Sequence, residues 1–130
     1  HMVAPLVVVL DRDAGEAAYE QIASQIREAV ATGALVPGSP LPGVRTLATD
    51  LGVNFNTVAR AYRVLEEQGF VIIRDRSGAE VATPAARASR QARAMLEREL
   101  WEVMARMRQA GFSERDLRKA AESCLDRLKE

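Results

Sequence analysis

Hydrophobic and polar positions separate clearly between Asn54 and Gly69. At about 100° per residue, the apolar residues of this segment share one side of a helix: Val58, Ala61, Tyr62 and Leu65. The polar residues share the opposite side: Asn56, Arg60 and Arg63. A shorter apolar stripe runs from Val44 to Leu51, and Gly52 separates the two segments. Two helices joined by a tight turn that contains glycine predict a helix-turn-helix.

The flanking segments complete a small domain. Leu6 to Leu10 is an aliphatic run that fits either a short strand or an extended arm packed on the domain. Ala17 to Thr32 repeats apolar residues at three- and four-residue steps and predicts a helix that ends at the following glycine. Three prolines between Leu35 and Gly43 indicate an extended connection. Two β-prone runs, Phe70 to Arg74 and Ala79 to Thr83, predict a hairpin, so residues 5–83 are expected to form a mainly α, winged helix-turn-helix domain.

Residues 84–130 are predicted to form a helical dimerisation tail. Two sets of apolar residues there step by four, three and four on either side of Gly111, and they are Leu96, Leu100, Val103 and Met107, then Leu117, Ala121, Cys124 and Leu128. Ser113 is a suitable N-cap for the second helix. An antiparallel hairpin of two such helices has almost nothing to bury its stripes against, so a partner surface is implied. Cys124 is expected to be a buried small hydrophobe.

Composition restricts the class of protein. The 130 residues, 48% of them hydrophobic, suffice for one compact domain and an appendage. The formal net charge is zero, so a nucleic-acid partner must be argued from where the charges lie. One cysteine excludes an intrachain disulfide and a multi-cysteine metal site. Because no apolar run approaches about 20 residues and no signal peptide is evident, we expect a cytoplasmic protein.

The sequence offers little for an enzyme. The only histidine is His1, which precedes Met2 and resembles the remnant of an expression tag. No Ser-His-Asp or Cys-His arrangement can therefore be built, and no glycine-rich phosphate loop is present. We expect no catalytic residues, no metal and no cofactor.

Chemistry suited to nucleic acid lies on the second helix of the helix-turn-helix. Asn54, Asn56 and Thr57 supply hydrogen-bonding side chains near its N-terminal end, and Arg60 and Arg63 supply cations. No acidic residue occurs from position 54 to position 65. An alternative left open by the spacing is that both arginines only solvate a surface and pair with the two following glutamates, Glu66 and Glu67.

Two further groups are candidates for DNA contact. Arg45, at the start of the preceding helix, could reach a flanking phosphate or simply face solvent. The predicted hairpin tip combines basic and small polar residues that could probe the backbone or the minor groove, namely Arg74, Arg76, Ser77 and Gly78. A polar hairpin tip is also what an ordinary turn looks like.

Several motifs in order and at fixed spacing resemble the GntR family of bacterial transcription regulators. They are Tyr19 to Ile22, Gly33 to Gly38, Leu41 to Arg45, Leu47 to Ala48, Leu51 to Asn54, and Asn56 to Tyr62. The resemblance implies that residues at the start of the recognition helix read the operator: Asn54, Asn56, Thr57 and Arg60. It also implies a DNA contact for Arg45 and an approach of Gly78 to the minor groove. Gly43 and Phe55 depart from the residues usual in the family.

The short two-helix tail resembles the YtrA-type branch of that family, in which the tail makes a homodimer. The resemblance implies a homodimeric repressor of an operon that encodes an ABC-type transporter, bound to a palindromic operator in double-stranded DNA. A small-molecule effector is compatible with this picture, although no polar cluster marks its site. The alternative is a winged-helix protein-interaction module without specific DNA binding, which the neutral net charge favours slightly.

Overall fold

A computed structural model describes residues 6–74, 78–85 and 87–129. The described elements are α1 (Ala18–Ala31), β1 (Pro40–Leu41), α2 (Val44–Leu51), α3 (Phe55–Glu67), β2 (Val71–Arg74), β3 (Gly78–Val81), α4 (Arg90–Gln109) and α5 (Glu114–Arg127). The chain divides into two compact units near Pro84. None of the helices in these ranges is long and apolar enough to cross a membrane.

The first unit has a mainly aliphatic core. α1 contributes Ile22 and Ile26, and α2 contributes Leu47, and all three side chains are buried. α3 and the strands complete the cluster with the buried residues Val58, Ala61, Tyr62, Leu65, Val71, Ala79 and Val81. The three helices lie where their apolar periodicity predicts them, and α2 has the predicted bounds. The predicted fold, mainly helical with a small antiparallel sheet in a winged helix-turn-helix, is confirmed.

The sheet has one more strand than the sequence pattern predicts. β2 and β3 form the expected hairpin, and β1 pairs antiparallel with β3 so that Leu41 lies opposite Ala79. Beyond β1, the Val81 amide donates to the Ser39 carbonyl at 2.9 Å. Pro40 is tolerated because β1 lies at the sheet edge, where a strand does not need every N–H donor. The connection predicted to be extended between Leu35 and Gly43 is only partly so: it contains a turn, in which the Ser39 amide donates to the Val36 carbonyl at 3.1 Å, and then supplies the edge strand β1.

The aliphatic run Leu6 to Leu10 is an extended arm and forms no strand. Two glutamines of α1 bind its backbone with their side-chain amides. Gln25 accepts from the Val9 amide at 2.9 Å and donates to the Val9 carbonyl at 2.7 Å, and Gln21 bonds the Asp11 amide and carbonyl at 2.8 and 2.9 Å. Two residues of extended chain span about the same distance as one helical turn, so the amides take the place of a neighbouring strand.

The second unit is a pair of helices joined by a glycine turn. Gly111 adopts φ +102°, and the Phe112 amide donates to the Met107 carbonyl at 3.0 Å. Ser113 caps α5 as predicted: its hydroxyl accepts from the Asp116 amide at 3.1 Å, and the Asp116 carboxylate accepts from the Ser113 amide at 2.9 Å. These hydrogen bonds favour the charged carboxylate and lower the pKa of Asp116.

The tail buries little of its apolar surface within one chain. No residue described from position 87 to position 128 is buried. The half-buried ones are few: Ala92, Met104, Met107, Leu117 and Ala120. The prediction that Cys124 is buried is wrong for the single chain, where this residue is exposed. The physical reason is that two helices provide only one layer, so most of each stripe has no second surface to pack against.

Candidate nucleic-acid interface

The turn between α2 and α3 is fixed by hydrogen bonds at both helix ends. Gly52 ends α2 in the left-handed conformation, with φ +67°, and the Val53 amide donates back to the Ala48 carbonyl at 3.0 Å. The Arg12 guanidinium donates to the carbonyl of Leu51, the last residue of α2, at 3.0 Å and to that of Gly52, its C-cap, at 3.3 Å. This use of Arg12 was not predicted, because it joins residues about 40 positions apart.

Asn54 is the N-cap of α3, as its residue type predicts. Its side-chain oxygen accepts from the Asn56 amide at 2.7 Å. The cap occupies the acceptor of Asn54 and leaves its amide donors for another partner. Asn54 therefore has a structural role in addition to any contact with DNA.

The two sides of α3 differ in exposure as the periodicity predicts. Val58, Ala61 and Leu65 are completely buried. Asn56, Arg60 and Arg63 are exposed, and Thr57 is half-buried between the two faces. The residues proposed to read DNA thus lie on the solvent side of a helix whose other side is held by the core.

Tyr62 fixes α3 relative to the segment that leads into α2. Its hydroxyl donates to the Pro42 carbonyl at 2.6 Å, and its ring is 1% exposed. Burial disfavours the tyrosinate and raises the pKa of Tyr62 well above its usual value. The hydroxyl therefore stays protonated and keeps its donor role.

Two arginines of the candidate interface, Arg45 on α2 and Arg60 on α3, are held by aromatic rings. The Arg45 guanidinium carbon lies 4.9 Å from the centroid of the Phe55 ring, and that of Arg60 lies 3.8 Å from the centroid of the Tyr19 ring. Both distances are within the range of a cation–π interaction. Phe55, the first residue of α3, is still 41% exposed. The departure from the family pattern at position 55 thus gives Arg45 a ring to pack against.

The alternative pairing of Arg60 and Arg63 with the glutamates at the end of α3 is not found in the part of the chain that the structure describes. Glu66 instead accepts from the Ile73 amide at 2.9 Å and links α3 to β2. Arg63 forms no ion pair or hydrogen bond with any described residue. Its charge is therefore accessible to an external anion.

In the described part of the wing, the hairpin of β2 and β3, the one cation predicted to contact DNA is already paired. The Arg74 guanidinium donates to the Glu80 carboxylate across the hairpin at 2.6 Å, so its charge is already paired. Gly78 begins β3 with φ +91°, a conformation that favours glycine. Arg76 and Ser77, also predicted to contact DNA, lie outside the described residues.

The sequence of this chain is similar to those of a known protein family. The sequence model of the protein family described as "Bacterial regulatory proteins, gntR family" matches residues 18–81 of this chain. The HTH-type transcriptional repressor YtrA of Bacillus subtilis is 40% identical over 65 residues, which cover 50% of this chain and 50% of that protein. The match spans about half the length of this relative and of one from Mycobacterium tuberculosis, and less than a fifth of several other curated relatives. These relatives are transcription regulators, not enzymes.

Solved structures of transcription regulators are also similar to this chain. A transcriptional antiterminator from Listeria monocytogenes has a TM-score of 0.76 at 27% identity, covering 92% of this chain and 90% of its own. YtrA from Sulfolobus acidocaldarius, described as a GntR-family transcription factor, has a TM-score of 0.59 at 35% identity, covering 75% of this chain and 97% of its own. The chain therefore belongs to the GntR family of bacterial transcription regulators, and it is similar to the YtrA-type members.

Proposed function

We propose that this regulator binds a specific, roughly palindromic operator as a homodimer, with α3 of each subunit in the major groove. The observation that carries the proposal is the exposed side of α3, where Asn56, Arg60 and Arg63 have hydrogen-bonding groups that no described residue uses. In a two-fold dimer, the two helices would enter successive major grooves about 34 to 36 Å apart.

Local charge supports DNA as the partner despite the neutral total. No acidic residue occurs from Asn54 to Leu65, and the N-terminal end of α3 carries the positive end of the helix dipole. At physiological salt, charges more than about 8 Å away are largely screened, so the composition near the reading surface matters more than the sum over the chain. Arg45, at the start of α2, adds a further exposed cation.

The apolar surface of the tail supports the homodimer. Leu96, Leu100 and Val103 follow one side of α4 and are 57%, 60% and 42% exposed. Ala121 and Cys124, on α5, are also exposed, and so is Leu128, the residue that follows the helix. A second copy of the tail supplies a matching surface by symmetry, which is the common solution for soluble oligomers.

We further propose that the bound dimer acts as a repressor by excluding polymerase from the promoter. The name of the Bacillus relative, a transcriptional repressor, favours this mode over activation. An effector that changes the relative placement of the two reading helices would release the DNA, because both half-sites must be engaged at a fixed spacing.

Selection of bound duplexes from a random DNA pool tests the proposal. We expect enrichment of an inverted repeat whose half-sites lie one helical turn, about 10 base pairs, apart. Affinity for the enriched duplex should fall steeply as salt rises, because phosphate contacts release counterions. Failure to enrich any sequence would refute specific DNA reading and favour the protein-interaction module.

A further inference from the structure

Tyr19 and Arg60 form a stacked pair between α1 and α3. The distance of 3.8 Å from the Arg60 guanidinium carbon to the Tyr19 ring centroid is far inside the limit of about 6 Å for a cation–π contact. At this separation the cation sits directly on the aromatic face. The ring is half-buried, and its hydroxyl donates to the Glu20 carboxylate at 3.0 Å. Packing against the domain and this hydrogen bond therefore both restrain the Tyr19 ring.

Stacking orients the guanidinium without using its hydrogen-bond donors. The five N–H groups of arginine lie in the guanidinium plane and point outward, whereas the ring contacts the face. Among the described residues, none accepts a hydrogen bond from Arg60. By contrast, the donors of Arg27 bond the Gln68 side chain at 2.8 and 3.0 Å, and those of Arg74 bond Glu80.

The oriented donors lie beside the other reading residues. Asn56, Thr57 and Arg60 line one shallow surface groove together with Tyr19 and the first residues of α1. α1 therefore forms a wall of the reading surface in addition to its role in the core. Among the described residues, no aromatic ring lies over the Arg63 guanidinium, so no such contact fixes its orientation.

We propose that Tyr19 is a positioning residue for DNA recognition: its ring fixes the Arg60 fork so that it donates to one base edge, most suitably O6 and N7 of guanine. This inference rests on the proposed DNA-reading function. A bidentate contact needs the guanidinium plane in one orientation, and the ring supplies that orientation before DNA arrives. Arg63 would then serve as a phosphate contact, for which orientation matters less.

The test uses the full chain and the duplex enriched from the random pool, with affinities measured by fluorescence anisotropy. Tyr19→Leu removes the ring, and Tyr19→Phe is the matched control that keeps the ring and removes the hydroxyl. We expect Tyr19→Leu to weaken binding by about 2- to 30-fold and to relax the preference at one base pair per half-site, with Tyr19→Phe close to wild type. In an Arg60→Ala background, Tyr19→Leu should have no further effect.

A second variant tests the pair without disturbing α1. Arg60→Lys keeps the positive charge and leaves Tyr19 in place, but it lacks the planar fork. We expect it to lose the same base preference while retaining affinity for a scrambled duplex.

The experiments distinguish failure of the positioning role from failure of the proposed DNA-reading function. If Tyr19→Leu costs as much affinity in the Arg60→Ala background as alone, or if Arg60→Lys retains the base preference, the positioning role is refuted while DNA reading stands. If the wild-type chain does not distinguish the enriched duplex from the scrambled one, the proposed function fails and the role of Tyr19 fails with it.

Discussion

Replacing Leu100 by Asp should separate the proposed dimer. Leu100 lies in the middle of the exposed stripe of α4, one turn after Leu96 and nearly one turn before Val103. In a tail-to-tail dimer, the stripe would be covered by the other subunit. An aspartate at this position would place a negative charge in the centre of an apolar interface. The stripe itself consists of apolar residues and contains no cation that could pair with the new carboxylate.

The exposed fraction of Leu100 sets the size of the effect. Burying a leucine completely stabilises by about 1.5 to 3 kcal/mol relative to leaving it exposed. Because 60% of Leu100 is still exposed in the single chain, covering it would contribute about 1 to 2 kcal/mol per subunit, or about 2 to 4 kcal/mol per dimer. At about 1.4 kcal/mol per tenfold change, the dissociation constant should rise by about 30- to 700-fold. Desolvation of the carboxylate adds to this effect, so the range is a lower bound.

Sedimentation at a series of protein concentrations measures the change. The only tryptophan, Trp101, is 70% exposed on α4 and offers a second reading, because its emission reports on the surroundings of the tail. Ala94→Asp is the matched control: it places the same charge on the same helix, on an exposed position well away from the stripe. We expect the control to remain dimeric.

Two results would refute the reasoning. If Leu100→Asp sediments as a dimer with the wild-type dissociation constant, the stripe of α4 is not the interface. If Ala94→Asp dissociates as readily as Leu100→Asp, the effect comes from charge on the helix rather than from the apolar stripe. A wild-type chain that is monomeric at all concentrations would refute the dimer itself.

Two other predictions concern the scaffold. Gln21→Leu should lower the free energy of unfolding by about 1 to 3 kcal/mol, since the backbone groups of Asp11 lose buried partners; an unchanged urea midpoint would show that the arm does not depend on this side chain. Tyr62→Phe should lower stability by about 1 kcal/mol at neutral pH, because the Pro42 carbonyl loses its donor. Above about pH 10 an unfolded tyrosine loses its proton, whereas burial keeps Tyr62 protonated, so wild-type stability should fall as pH rises and that of Tyr62→Phe should fall less. Equal slopes in denaturation series at pH 8 and about pH 11 would contradict the burial argument.

Local patterns were sufficient to predict the helices of this chain. The faces of α3 and the bounds of α2 follow from apolar residues at three- and four-residue steps, and the caps at Asn54 and Ser113 follow from residue type. All of these signals act over one or two helical turns. They also place the polar residues of α3 on the solvent side, but which of them contact DNA stays a prediction.

The contacts that shape the candidate site join distant segments, and no local pattern encodes them. β1 forms only when Leu41 meets Ala79, and the Tyr19 ring meets Arg60 across two helices. The pairing of Arg74 with Glu80 depends on the register of β2 and β3. Residue type alone made Arg60 and Arg74 look equivalent, whereas packing leaves the donors of the first free and pairs those of the second.

Reading of DNA by α3 is tested most directly by titrating the enriched duplex and a scrambled duplex of equal length with wild type, Arg60→Ala and Arg27→Ala. We expect wild type to prefer the enriched duplex by about 1,000-fold or more. Arg60→Ala should lose about 1 to 3 kcal/mol, or about 5- to 150-fold, on that duplex only. Arg27→Ala should bind like wild type, because its donors are already bonded to Gln68. Equal affinity of wild type for the two duplexes, or equal losses in the two variants, would contradict DNA reading by this helix.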